Sequence, residues 1–261
     1  MKKLLLVFAH PDDESFSCAG TVAKYVKAGW RADLIVATRG EAGESGPYKA
    51  TGERLGDIRQ KEVEKAGEIL GISSITFLGY TDGTLVNEHD GELEDKIFQY
   101  MQKEIPDCII TFDTTGISNH PDHIKICYAT TYAFQKYAAW ISDQLSTHPE
   151  YTEDQDPKLY YTCMPATVTK HLIEKKVIPA ESFGFPWRGT PDKFITTVID
   201  IKKFSAVKKK ALLSHLSQRA DTSRDLSYAK NPSFFQEHFI LRMHGVTEVF
   251  MGKTDSIASK L

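Results

Sequence analysis

Residues 4–15, LLLVFAHPDDES, and residues 108–123, CIITFDTTGISNHPDH, share one layout: a run of apolar residues followed, at once or after a short loop, by His-Pro-Asp. Leu4 to Ala9 is continuously apolar, as expected for a parallel strand buried on both faces, and Cys108 to Phe112 reads as a second such strand. Proline disfavours helix at the histidine before it and suits the first turn of a helix after it. Both tetrapeptides, His10-Pro11-Asp12-Asp13 and His120-Pro121-Asp122-His123, therefore fall at strand-to-helix junctions.

Working outward, Glu14 to Ala28 predicts a helix closed by Gly29, and Ala32 to Thr38 a strand followed by the glycine-rich loop RGEAGESGPYKATG. Ile58, Val63, Ala66, Ile69 and Leu70 have helical spacing within a helix over Leu55 to Leu70 that ends at Gly71. Ile75 to Leu78 is the third strand, Glu92 to Lys103 a helix, Cys108 to Phe112 the fourth strand, and His123 to Ala139 another helix. This alternation predicts an α/β fold, a Rossmann-like, mostly parallel sheet with helices on both faces. With strand order 3-2-1-4, strands one and four are neighbours at the point where winding reverses, and ligands bind beyond the carboxyl ends of such strands.

Past residue 140 the pattern changes. Ser142 to Lys158 is acidic and turn-rich and reads as an exposed excursion. Leu159 to Met164 and Phe194 to Ile201 read as strands, separated by a short helix and a loop with Gly184, Pro186, Trp187 and Gly189. Phe204 to Leu216 reads as a basic amphipathic helix whose lysines form a solvated face. The expected organisation is one domain over 1–261, a core over 1–140 and a C-terminal α/β elaboration over 141–261 that extends the same sheet.

The chain has 261 residues, 41% hydrophobic and 26% charged, with net charge −3, so it offers no global basic field for nucleic acid. No stretch reaches the roughly 20 apolar residues of a membrane span. Cys18, Cys108, Cys127 and Cys163 lack CxxC spacing and read as reduced, mostly buried thiols. The short apolar N-terminal run is followed by charges without an A-x-A site, so it does not read as a signal peptide and a cytoplasmic protein is expected. The sequence leaves room for a homo-oligomer.

Imidazole and carboxylate suit zinc, and a catalytic zinc takes three protein ligands and leaves one position for water. His10, Asp13 and His123 supply that number. Asp12 is then the general base, and His120 a proton donor or oxyanion stabiliser oriented by Asp122. The bland alternative is that each Asp merely caps a helix. Capping does not account for His-Pro-Asp at both of two adjacent strand ends. Five other histidines, His89, His148, His171, His238 and His244, read as structural or solvated; His215, late in the basic helix, is the one other candidate for proximity to a site.

The segments AHPDDE, TRGEAG, IRQKEVEKAGEILG, FLGYTDG and NHPDH together resemble the LmbE-like, or PIG-L, family of zinc-dependent N-acetylglucosaminyl deacetylases. The likeness covers residues 3 to 135, with VIDI and a lysine-rich helix ending HLSQ as a weaker extension. It implies one Zn2+ per chain on His10, Asp13 and His123, Asp12 as base, His120 at the tetrahedral intermediate, and Arg59 and Asp82 on the sugar. The ordinary readings of the last two are a salt bridge from Arg59 to Glu62 and a turn residue. The implied reaction is hydrolysis of the N-acetyl group of an N-acetylglucosamine-type sugar or glycoconjugate, a small-molecule substrate; the alternative is an amidase cleaving a sugar-thiol conjugate. Asn119 stands where the family often has glycine, which puts the loop shape at His120 in question.

Overall fold

A computed structural model describes residues 1–89, 91–145, 155–229 and 231–249. β1 (Lys3–Phe8) is apolar and almost fully buried because the sheet is covered on both faces, and the chain leaves it directly into α1 (Asp13–Ser17) and α2 (Ala19–Lys27). The single helix expected over Glu14 to Ala28 is thus two. Cys18, at φ −151° and ψ 19°, breaks it, and the short first piece serves the junction while the second covers the sheet.

β2 (Arg31–Thr38), α3 (Gly52–Leu70), β3 (Ser74–Tyr80), α4 (Glu92–Glu104) and β4 (Cys108–Phe112) follow as expected, with ends shifted by a few residues. Gly71 closes α3 in the left-handed region at φ 78°, where glycine carries no Cβ penalty. A distorted turn, α5 (Gly116–Asn119), leads into the long helix α6 (Pro121–Leu145). β5 (Lys158–Cys163), α7 (Ala166–Glu174), the small hairpin β6 (Glu181–Ser182) and β7 (Phe185–Pro186), β8 (Thr197–Asp200), α8 (Ser205–Leu212), α9 (Arg219–Ser227), β9 (Gln236–His244) and β10 (Thr247–Glu248) complete the chain. Most of the acidic stretch expected to be an excursion, 146–154, lies outside the described residues.

The sheet runs β10-β9-β5-β4-β1-β2-β3, with β8 also paired to β9. β3-β2-β1-β4-β5 are parallel, and β1 pairs with both β2 and β4, so the winding reverses at the β1/β4 border. β9 joins antiparallel to β5, so the later half extends the same sheet, and one apolar cluster runs from Leu4 to Met243. Cys18, Cys108, Cys127 and Cys163 are all free and buried within it.

The basic helix departs from its expected solvated character. It is shorter, Ser205–Leu212, and Lys208 is 6% exposed. Its Nζ donates to Glu237 Oε1 on β9 at 3.0 Å and to the Phe16 carbonyl at 3.2 Å. Glu237 also accepts the Gly20 and Thr21 amides at 3.0 and 2.7 Å, which are unpaired donors in the first turn of α2. One carboxylate thus fastens β9 to α8 and to the helix beyond the first junction. Glu237→Ala would leave the Lys208 charge buried without its partner; a loss of about 3–5 kcal/mol in unfolding free energy is expected by urea titration.

Candidate active site

The adjacency of β1 and β4 brings the two His-Pro-Asp junctions face to face. His10 Nδ1 lies 3.1 Å from His123 Nε2, and Asp13 carboxylate oxygens lie 3.7 Å from the first nitrogen and 3.4 Å from the second. The rings stack in series: His123 lies flat on Phe112 at 4.0 Å between centroids, and His120 on His123 at 4.6 Å. Neither early Asp caps its helix with its side chain. Asp13 Oδ2 instead accepts the His10 amide at 2.7 Å.

Asp12 occupies φ 121°, costly for a residue with a Cβ, so neighbouring groups must hold it there. Its amide donates to Glu14 Oε2 at 3.1 Å, and its carbonyl accepts from Ser15 and Phe16 at 2.8 and 3.1 Å. Arg59 reaches in from α3, donating to the Pro11 and Gly40 carbonyls at 2.7 and 2.9 Å and to Asp12 Oδ2 at 3.2 Å. Burial pushes the Asp12 and Asp13 carboxyls above the ordinary range, against the opposing pull of Arg59 on Asp12 and of His10 on Asp13.

The outer nitrogens of the two facing histidines are spoken for. His10 Nε2 donates to Asp82 Oδ1 at 2.8 Å and lies 3.3 Å from Asp122 Oδ2; His123 Nδ1 donates to the Gly116 carbonyl at 3.1 Å. In the neutral rings both inner nitrogens are then lone pairs turned towards each other and towards Asp13. Burial alone would lower the His10 pKa, but its bonds to Asp122 and Asp82 hold it at about 10, whereas burial brings His123 and His120 down to about 3. The space between the inner nitrogens therefore favours a positive charge, a proton or a metal cation.

Two imidazole lone pairs and one carboxylate converging there fit a zinc-type donor set. Among the described residues, the groupings with one ligand atom each all within 4.8 Å of one another are His10 with His120 and His123, and His10 with Asp82 and Asp122. Asp82 and Asp122 fit the outer role better. Asp122 accepts the Gly83 and Leu85 amides at 2.7 and 3.2 Å and Asp82 the Ala42 amide at 3.1 Å, so donors already occupy their oxygens.

All eight residues expected from sequence, His10, Asp12, Asp13, Arg59, Asp82, His120, Asp122 and His123, line one cavity of about 680 Å³. Their connections differ from expectation in two respects. The Asp122 carboxylate orients His10; His120 is touched by the Asp122 backbone amide, which donates to its Nδ1 at 3.2 Å. Arg59 forms no salt bridge to Glu62 within the helix; Glu62 accepts the amide and hydroxyl of Ser217 at 2.8 and 2.5 Å. Both differences arise because loops from distant elements fill the space that the helix-local readings assumed to be solvent.

Glu14 and Ser15 were missed, and His215, expected only as a candidate for proximity to a site, proves to be their partner. Glu14 Oε1 accepts from His215 Nε2 at 3.0 Å and from the Ser15 hydroxyl at 2.6 Å, with all three side chains essentially buried. The acidic residue after HPDD and the histidine of HLSQ carried the signal, but nothing in their spacing pairs positions 201 residues apart.

A profile of the family PIG-L, GlcNAc-PI de-N-acetylase, matches residues 5–134. The 1D-myo-inositol 2-acetamido-2-deoxy-alpha-D-glucopyranoside deacetylase of Thermomonospora curvata is 30% identical over 91% of this chain and 88% of its own length. The chain belongs to the PIG-L family. A probable N-acetyl-alpha-D-glucosaminyl L-malate deacetylase of Bacillus anthracis is 40% identical over 47% of this chain and 54% of its own. In fold, the chain is similar to the N,N'-diacetylchitobiose deacetylase of Pyrococcus horikoshii, with TM-score 0.65, 20% identity, and coverage of 94% of this chain and 85% of the other. As a PIG-L member the chain is a metal-dependent amide hydrolase, a deacetylase. The PIG-L match spans both junctions, Arg59 and Asp82, while His215 lies beyond it.

The Glu14–His215 pair stands one layer behind Asp12. Glu14→Ala should lower kcat about 10- to 100-fold with metal per chain retained, while Glu14→Gln, which keeps an acceptor for the Asp12 amide, should lose less; steady-state rates and metal analysis on the same samples check this.

Proposed function

We propose that the chain hydrolyses the N-acetyl amide of an N-acetylglucosamine-type sugar or glycoconjugate, using one zinc ion held by His10, Asp13 and His123. The observation that carries the reading is the pair of inward-facing imidazole nitrogens 3.1 Å apart beside Asp13, with the Asp12 carboxylate on the same cavity. The relatives are named for deacetylating N-acetylglucosamine-type sugars, which favours that reaction over cleavage of a sugar-thiol conjugate. When bound, zinc supplies Lewis acidity towards the amide carbonyl and lowers the pKa of a water.

The protein's own groups complete the reaction. Asp12 has Oδ2 on Arg59, so Oδ1 is the oxygen that takes a proton from the attacking water and later returns it to the amine, a poor leaving group until protonated. His120 is neutral at pH 7 because burial disfavours its charge, and its Nδ1 accepts the Asp122 amide. The proton of the neutral ring therefore sits on Nε2, ready to donate to the oxyanion. Arg59 and Asp82 line the cavity where the sugar would lie while also bracing the loops. No helix among the described residues is long and apolar enough to cross a membrane, and four buried free thiols support a cytoplasmic setting. The whole chain acts in this reading as one domain, with the later half shaping the pocket.

Acetate release from N-acetylglucosamine derivatives, with metal analysis, tests the reading. Asp12→Asn should keep the metal and lose at least about 100-fold in kcat, while Asp13→Ala should lose the metal; full activity in Asp12→Asn would remove it as the base. Because the Arg59 charge lowers the Asp12 pKa, Arg59→Gln should raise it, moving the acid limb of kcat/KM to higher pH.

A further inference from the structure

Asn119 sits beside His120 with φ 61°, the left-handed conformation in which glycine and asparagine are best tolerated. Its side-chain amide does what glycine has no group to do. It donates to the Phe185 and Pro186 carbonyls at 3.3 and 3.4 Å, tying the junction after β4 to the β6–β7 hairpin. The tip of that hairpin, Phe183-Gly184, turns with φ 51° and 78°, as two-residue hairpins require. Phe183 is thereby set with its ring edge-on to His120, 4.5 Å between centroids, although it remains 53% exposed.

Phe183 continues a mainly apolar section of the cavity wall made by Met164, Leu172, Val177, Ile178 and Trp187. Trp187 Nε1 is buried there and unpartnered among the described residues. The cavity's charged lining is elsewhere, on the two junctions, Arg59 and Asp82 and on Glu44, Asp221, Arg224 and Asp225. Sugar hydroxyls need more partners than the Phe183 section supplies with the Ser182 hydroxyl and Trp187 Nε1, whereas an apolar group there would cover an exposed ring.

We propose that residues 164–187 form a subsite for an apolar aglycone, alkyl or aryl, on the amino sugar, with the glycosidic oxygen suited to Trp187 Nε1 and Asn119 as the residue that positions the wall. The inference rests on the deacetylase reading above. The aglycone is then unlike inositol and malate, the groups named for the two curated relatives.

The test compares acetate release by the metal-loaded enzyme from the methyl and hexyl glycosides of N-acetylglucosamine, in both anomers, with N-hexanoylglucosamine as a separate arm read by hexanoate release. The hexyl glycoside should exceed the methyl by at least about tenfold in kcat/KM, chiefly through KM. Phe183→Ala and Ile178→Ser, at positions already partly open to solvent, should each bring that ratio towards one, and Asn119→Gly should reduce it. Equal rates on both glycosides, a ratio untouched by all three variants, or a gain from six carbons only on the nitrogen overturns the subsite while deacetylation stands. No acid released from any compound overturns the deacetylase reading, and the subsite with it.

Discussion

A neutral imidazole has one N–H and one lone pair, and the whole site depends on which nitrogen of His10 carries which. Asp82 and Asp122 claim Nε2 for hydrogen bonding, so Nδ1 is left to face Asp13 and His123. Those carboxylates are themselves held by amides of residues 42, 83 and 85, on the loops beyond β2 and β3. The tautomer at the centre is thus set by Asp82 after β3 and by Asp122 after β4, the latter held by the loop beyond β3, while His123 faces it from the junction after β4. The candidate site lies at the β1/β4 border because both sets of loops reach the same imidazole there.

The later half of the chain supports that border from behind. Glu237 holds the start of α2, and His215 holds Glu14, which in turn holds the Asp12 amide. The first two are buried polar contacts between segments roughly 200 residues apart in sequence, and both end near the first junction. Asp12 can keep a φ of 121° because its surroundings overdetermine it. Removing the elaboration would relax the backbone of Asp12 at the first junction.

The sequence carried much of this in two forms. Periodicity exposed the strands and helices of the first 140 residues, since apolar runs and helical spacing are local properties. The repeated His-Pro-Asp, together with strand order, picked out one end of the cavity that all eight expected residues line. Local reasoning failed where partners are remote: Lys208 looked like one more solvated lysine until β9 closed over it, and Asp122 was assigned to His120, two residues before it, whereas its carboxylate reaches His10. Asn119 was noticed only as a departure from the expected glycine; its left-handed backbone explains the glycine, and the hairpin explains the side chain.

The four cysteines have a consequence of another kind. Burial raises every one of their thiol pKa values, Cys108 and Cys127 to about 12 and the others likewise upward, so at neutral pH almost none is ionised. Thiolate is the form that oxidants and alkylating reagents attack. The folded protein is therefore silent towards sulfhydryl chemistry. A single cysteine introduced on the exposed β6–β7 tip would be the one thiol a maleimide dye finds, and its fluorescence would report hairpin motion without first stripping the native sulfurs from the core.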